Sequence, residues 1–338
     1  MKNRDSIIVK TMGIRHLNRY LRTNCPNSIR CINLADLSGK VIAVDISIYL
    51  YKYETDNVLL ENIYLMLAIF RHYNIIPIFI FDGKPPPEKK ELLIKRKLDR
   101  ENAQEEYDIL KSRLADNDET EDKQEIIANM DQLKKQFVQI NKEKIDSVKR
   151  LIRAYGATYY DAPGEADELC ALLAIKKKVW ACLSEDMDLF VYGCTRVLRY
   201  FSLIGHTAVL YYTRGILKEL QMTQTEFKEV CILSGTDYNI KFNNTVSLNQ
   251  SLKHFQIYKQ SLIDCLEPTT YYEWLLQNTN YISDIDNLKK INNMFNLDTD
   301  YHNRKLDIFQ NIAIMNSDKN QTEIETIMAE ADFLFVKT

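Results

Sequence analysis

The chain has 338 residues, 46% hydrophobic and 27% charged, with a formal net charge of −3. That composition is globular and excludes a disordered chain, and the near-neutral balance excludes a uniformly basic surface. Seven scattered cysteines with no C-x-x-C pair exclude a zinc ribbon and suit a reducing compartment, while no apolar run has transmembrane length and MKNRDSIIVK is too polar for a signal peptide, so a soluble intracellular protein is expected.

Residues 1–11 read as a short extension and 14–22 as a small helix. KVIAVDISIYLYKY (40–53) opens with a buried strand ending near Asp45, and a helical pattern follows through ENIYLMLAIFRHY (61–73). NIIPIFIFDG (74–83) is a second buried strand, stopped by Asp82, Gly83 and the run Pro85, Pro86, Pro87. Residues 88–150 are polar and helical in composition, with few breakers. ATYYDAPGEADELCALLA (157–174) runs strand, turn, helix, with Pro163 near the helix start. VWACLSED (179–186) and RVLRYFS (196–202) are further strands, and beyond about residue 222 the pattern turns helical and polar. Strands alternating with helices predict an α/β fold: a mostly parallel twisted sheet with helices on both faces.

Three apolar strands end in acid, at Asp45, Asp82 and Asp186, with Asp188 close behind the last. In open parallel sheets, function gathers outside the carboxyl ends of the strands. Glu165 and Asp167 fall in the first turn of the helix after Pro163, where a helix N-terminus favours negative charge. A single acid at a strand end is an ordinary turn or cap residue. Several on several strands repel one another unless cations neutralise them. Oxygen donors with no His or Cys nearby point to Mg²⁺ or Mn²⁺. The stretch KPPPEKKELLIKRKLDR (84–100) carries seven basic residues against three acids, which reads either as a solvated helix face or as a track for a phosphate backbone.

Six ordered blocks resemble the structure-specific 5′-nucleases that include flap endonuclease and the mismatch-repair 5′-exonuclease. They are MGIRHLNRYL (12–21), GKVIAVDIS (39–47), FIFDGKPPPEKKELLIKR (79–96), DAPGEADELCA (161–171), SEDMDLFVYG (184–193) and CILSGTDYN (231–239). The resemblance implies a PIN-like nuclease fold divided into an N-terminal nuclease region (12–96), a helical arch (97–144), an internal nuclease region (145–240) and a helical C-terminal region (241–338). It implies a metal site of Asp45, Asp82, Glu165, Asp167, Asp186, Asp188 and Asp237, none replaced by a neutral residue. Asp82, Glu165, Asp167 and Asp186 would be the inner ligands of two Mg²⁺ ions, for which Mn²⁺ substitutes. Lys89 and Arg96 match the basic residues that neutralise the reacting phosphate. Tyr51 matches an aromatic that stacks a base beside the cut, with Tyr49 as the other candidate. Lys84, Lys90 and Gly13 fall in blocks that border the DNA.

The implied activity is hydrolysis of DNA at flaps, nicks, gaps or 5′ ends, in replication, repair or recombination. The implied partner is branched or nicked DNA, with a monomer expected. Exonuclease action, an RNA substrate and a non-catalytic nucleic-acid-binding role on the same fold are the alternatives. The stretch after Asp237, DYNIKFNNTVSLNQSLKHF (237–255), lacks the G-x-G hairpin with which this family grips duplex phosphate and a K⁺ ion. Eleven residues precede the Met12-Gly13 at which relatives start, and QTEIETIMAEADFLFVKT (321–338) holds no clamp-binding box, so a sliding clamp is unsupported. Composition suits a large DNA virus as well as a cell, and nuclear against cytoplasmic location follows from which it is.

Overall fold

The computed structural model describes residues 14, 16–116, 120–238, 247–262, 269–282, 284–297, 309, 314–333 and 335. The expected N-terminal extension, Gly13 and the centre of the expected hairpin (239–246) lie outside the described residues.

Seven strands form one sheet: β1 (Ile29–Asn33), β2 (Val41–Asp45), β3 (Ile76–Phe81), β4 (Thr158–Asp161), β5 (Ala181–Leu183), β6 (Arg196–Ser202) and β7 (Thr207–Tyr212), in the order β1-β7-β6-β5-β2-β3-β4. From β6 to β4 every neighbour is parallel. The β7 and β1 pairings are antiparallel and extend one edge. The central strands are apolar on both faces, as a sheet covered on both sides requires. Their alternate side chains feed two cores: Ala43, Ile78 and Ile80 on one face, Ile42, Val44, Phe79 and Phe81 on the other.

Helices α1 (Leu17–Asn24), α7 (Ala166–Ile175), α8 (Asp188–Tyr192), α9 (Thr213–Leu220) and α10 (Gln224–Leu233) cover the first face. Three C-terminal helices, α11 (Leu248–Ser261), α12 (Tyr271–Asn278) and α13 (Ile285–Met294), pack into the same core. The second face is covered by α2 (Ser47–Thr55), α3 (Leu59–His72), α6 (Lys142–Ala154) and α14 (Gln321–Ala329). Helix α1 starts later than its sequence pattern suggests, because His16 sits at φ 65° in the left-handed region and ends the helix there.

Between β3 and α6 the chain makes a short 3₁₀ turn at Pro87–Lys89. A long helix follows, α4 (Lys90–Asp116), which packs against α5 (Thr120–Lys134). Leu93, Ile94, Leu98 and Ile109 of α4 are exposed, so this hairpin buries little of its own apolar surface. Asn141 then caps α6, accepting from the Lys144 amide at 2.9 Å.

Candidate active site

Four adjacent strands, β5-β2-β3-β4, run parallel, so their carboxyl ends open on the same side. Asp45 closes β2, Asp82 follows β3, and the Ser184–Asp188 loop follows β5. The turn after β4 leads into α7, with Glu165 at its N-cap and Asp167 in its first turn. Asp237 arrives after α10. Gly83 lets two of these loops meet. Its N–H donates to Gly164 O at 2.7 Å, and a Cβ there would lie 1.8 Å from Ala162 O. Only glycine permits that approach.

Local hydrogen bonds fix the acids one by one. Asp45 accepts from Ser184 Oγ at 2.8 Å and from the Ser47 amide at 3.3 Å. Asp82 accepts from Ser47 Oγ at 2.5 Å and from the Ala166 amide at 2.8 Å. Asp186 accepts from the Asp188 amide at 2.9 Å. Glu165 is held at both oxygens, by Lys89 Nζ at 2.6 Å on Oε1 and by Tyr238 OH at 2.7 Å on Oε2. Asp237 pairs with Arg96 at 3.0 Å and lies 3.9 Å from Lys89. Arg199, buried in the neighbouring strand, donates to Glu185 O at 2.8 Å and steadies the Ser184–Asp188 loop.

Electrostatics set this cluster apart from ordinary surface acid. Burial pushes the Asp45 carboxyl up to about 8, with Asp82 adding repulsion against the Ser184 and Ser47 hydrogen bonds. Burial also raises Asp188, with Asp186 and Asp237 adding to it. For Asp167, burial outweighs the opposing pull of Lys89, and Glu165 and Asp186 raise it further. Asp186 is raised by burial and by Asp237, against the hydrogen bond from the Asp188 amide. Burial opposes the charge on Lys89, but Asp167, Tyr238 and Glu165 more than compensate and hold it firmly protonated.

The donor set fits a hard divalent cation. It is all oxygen, and Asp188 Oδ1 is buried with no hydrogen-bond partner. Among the described residues, no three His, Cys, Asp or Glu side chains form a ready-made ligand group. Serine hydroxyls, backbone amides and Lys89 hydrogen-bond to carboxylate oxygens that a cation would otherwise gather.

The other expected residues divide by exposure. Tyr51 is exposed on α2, whereas Tyr49 is buried in the core against Tyr53 and Phe201. Lys84 and Lys90 are exposed beside the cluster, at the start of the helical hairpin. Sequence reasoning missed Ser47, Ser184, Arg199 and Tyr238. The two serines carry a readable signal, since each lies within two residues of a strand-end acid; Arg199 carries none.

Residues 12–103 match the XPG N-terminal domain and residues 156–237 match the XPG I-region. Flap endonuclease 1 of Lodderomyces elongisporus is 31% identical over 247 residues, covering 67% of this chain and 61% of that protein. Flap endonuclease 1 of Chlamydomonas reinhardtii is 30% identical over 282 residues, covering 77% of this chain and 68% of that protein. The chain thus spans about three fifths to two thirds of the length of these relatives. The catalytic core of Rad2 in complex with DNA substrate superposes with a TM-score of 0.63 at 19% identity, over 94% of each chain, a likeness of fold. With both family domains in order around the acid cluster, the chain belongs to the XPG/Rad2-like 5′-nuclease family.

Proposed function

We propose that this chain is a divalent-metal-dependent, structure-specific 5′-nuclease that hydrolyses DNA phosphodiester bonds at flaps, nicks, gaps or 5′ ends. The observation that carries this reading is the buried Asp188 oxygen, unpartnered among acids that follow adjacent parallel strands. The family's flap endonucleases and the Rad2 core seen with DNA substrate support the same substrate class.

Asp82, Glu165, Asp167 and Asp186 would hold two Mg²⁺ ions most directly, with Asp45, Asp188 and Asp237 acting partly through water. Bound there, Mg²⁺ or Mn²⁺ supplies an activated water and charge stabilisation for the leaving 3′-oxygen. Lys89 and Arg96 sit at the base of the helical hairpin, within ion-pair reach of Asp237. Incoming phosphate would compete for the same two cations, and they would neutralise the reacting group. The exposed ring of Tyr51 would stack a base beside the cut, a contact worth about 1–3 kcal/mol. Lys84 and Lys90 would follow the phosphate backbone. The α4–α5 hairpin would form the arch that meets a free 5′ end. No described helix is long and apolar enough to cross a membrane. The site of action is intracellular DNA, and the acting unit is a monomer.

A 5′-labelled flap duplex, incubated with and without Mg²⁺ beside Asp186→Ala, tests this directly. Short labelled fragments from the wild type alone, and only with metal, are expected, with the variant slower by about three orders of magnitude. Fragment lengths separate cutting at the flap base from stepwise trimming. No cleavage by the wild type, with DNA bound equally by both proteins, would sink the enzyme reading.

A further inference from the structure

We propose that Tyr238 is a positioning residue of the acid cluster: its hydroxyl orients Glu165, its ring seats Lys89, and together they set how tightly a divalent cation binds. The inference rests on the metal-dependent nuclease reading above. Tyr238 directly follows Asp237, and its hydroxyl donates to Glu165 Oε2 at 2.7 Å. Lys89 Nζ donates to the other oxygen of the same carboxylate at 2.6 Å and lies 5.0 Å from the centre of the Tyr238 ring. The three side chains therefore close a triangle in which each touches the other two.

The ring is itself anchored. Phe295, at the end of α13, meets it nearly edge-on at 5.5 Å and meets Tyr192, at the end of α8, at 4.8 Å. Asp188 opens α8, so one aromatic column links the C-terminal helices to both ends of the cluster.

The physical role follows from the torsion that the hydroxyl removes. A glutamate carboxyl rotates freely about its last bond, which has only a broad twofold preference. A donor on Oε2 fixes that plane, and the outer lone pairs of both oxygens then face fixed directions. Partners of this kind around a metal ligand typically govern ten- to hundredfold in metal affinity. Lys89 needs the same control from its other side. The ring face attracts the ammonium, so the lysine is shared between ring and carboxylate rather than committed to the carboxylate alone.

Tyr238→Phe separates the hydroxyl from the packing, because the ring against Lys89 and Phe295 is kept. Mn²⁺ binding to DNA-free protein, measured by calorimetry, is expected to weaken about tenfold or more in this variant. Its melting temperature in EDTA and its duplex affinity in Ca²⁺ should match wild type, and its cleavage rate should recover at excess Mn²⁺. Phe295→Leu, which keeps the hydroxyl but loosens the ring, should move Mn²⁺ affinity in the same direction by less. This second variant decides the matter if the first melts early. Wild-type Mn²⁺ affinity in Tyr238→Phe, or lost cleavage that excess Mn²⁺ does not restore, overturns the role of Tyr238 and leaves the nuclease reading standing. Equal Mn²⁺ binding by wild type and Glu165→Gln overturns both.

Discussion

Carboxylates are plentiful in two parts of this molecule and do opposite things. Where the C-terminal segment docks, three of its acids face cations. Arg150 of α6 reaches Glu323 at 3.1 Å and Glu330 at 2.9 Å, and Arg71 meets Asp318 at 3.3 Å. At the strand ends, seven carboxylates share Lys89 and Arg96. Those two reach only Glu165 and Asp237, which leaves Asp45, Asp82, Asp167, Asp186 and Asp188 with no salt bridge among the described residues. The first arrangement is self-neutralised. The second carries excess negative charge in partly buried surroundings, and such a surplus persists where something outside the chain completes it.

The sharpest way to break this contrast is to remove the internal cation. Lys89→Ala leaves Glu165 without its counter-charge, and losing one partner of a buried pair costs about 3–5 kcal/mol. The melting temperature of the metal-free protein should therefore fall, and Mg²⁺ should restore part of it by supplying the missing charge. Cleavage should fall about 10²–10³-fold, the usual effect of deleting a group that stabilises developing charge. A variant that melts like wild type in EDTA would show that Lys89 does not neutralise the cluster. Gly83→Ala acts on geometry instead. Its Cβ would collide with Ala162 O, so the Asp82 and Glu165 loops must part, at a cost of about 1–3 kcal/mol or more. Mn²⁺ affinity should fall together with stability, and a variant that lost stability alone would show that the loops hold the site without this contact.

The charge surplus was legible in the sequence because it follows period and position. Apolar strands ending in Asp45, Asp82 and Asp186 place those acids at one edge of any parallel sheet, and β5, β2 and β3 are indeed neighbours. The antiparallel edge was not legible. IRCIN buries only one of its five residues, so β1 carries no apolar run, and β7 is recognisable only by its pairing with β6. The docking of residues 314–333 was equally silent. Its alignment is set in part by backbone contacts such as Ser317 N–H to Gly156 O at 3.1 Å and Asn320 N–H to Ala154 O at 2.7 Å, which leave no mark on residue type. Tyr238 and Arg199 escaped notice for a related reason: each acts across more than seventy positions or from the next strand over, through a partner that sequence spacing does not name.

A buried acid outside the cluster sharpens the comparison. Glu229 of α10 is pushed up to about 7 by burial and then by Glu226, against the pull of Lys228. Its folded value lies above its unfolded one, so its penalty is absent at low pH, grows between about 4.5 and 7, and is complete above that. Glu229→Gln should raise stability by about 2 kcal/mol at pH 8, allowing for partial solvent screening, and by under about 1 kcal/mol at pH 5. Chemical denaturation at the two pH values reads the difference. Mg²⁺ should leave that difference unchanged, and a Mg²⁺-sensitive gain would place Glu229 in electrical contact with the cluster.

The smallest effect belongs to the self-neutralised region. Arg150 is fairly exposed, and exposed ion pairs contribute about 0.2–1 kcal/mol even with good geometry. Arg150→Ala should lower stability by less than about 1 kcal/mol, and the loss should shrink further in high salt, because charges near the surface are screened. Ile324, Ile327 and Met328 of α14 are fully buried against α6 and hold the segment without the arginine. Mn²⁺ affinity and cleavage should match wild type within error. A fall in either would mean that docking of the C-terminal segment is transmitted along α6 to the base of the helical hairpin, and the two acid-rich regions would then be one coupled system instead of two independent ones.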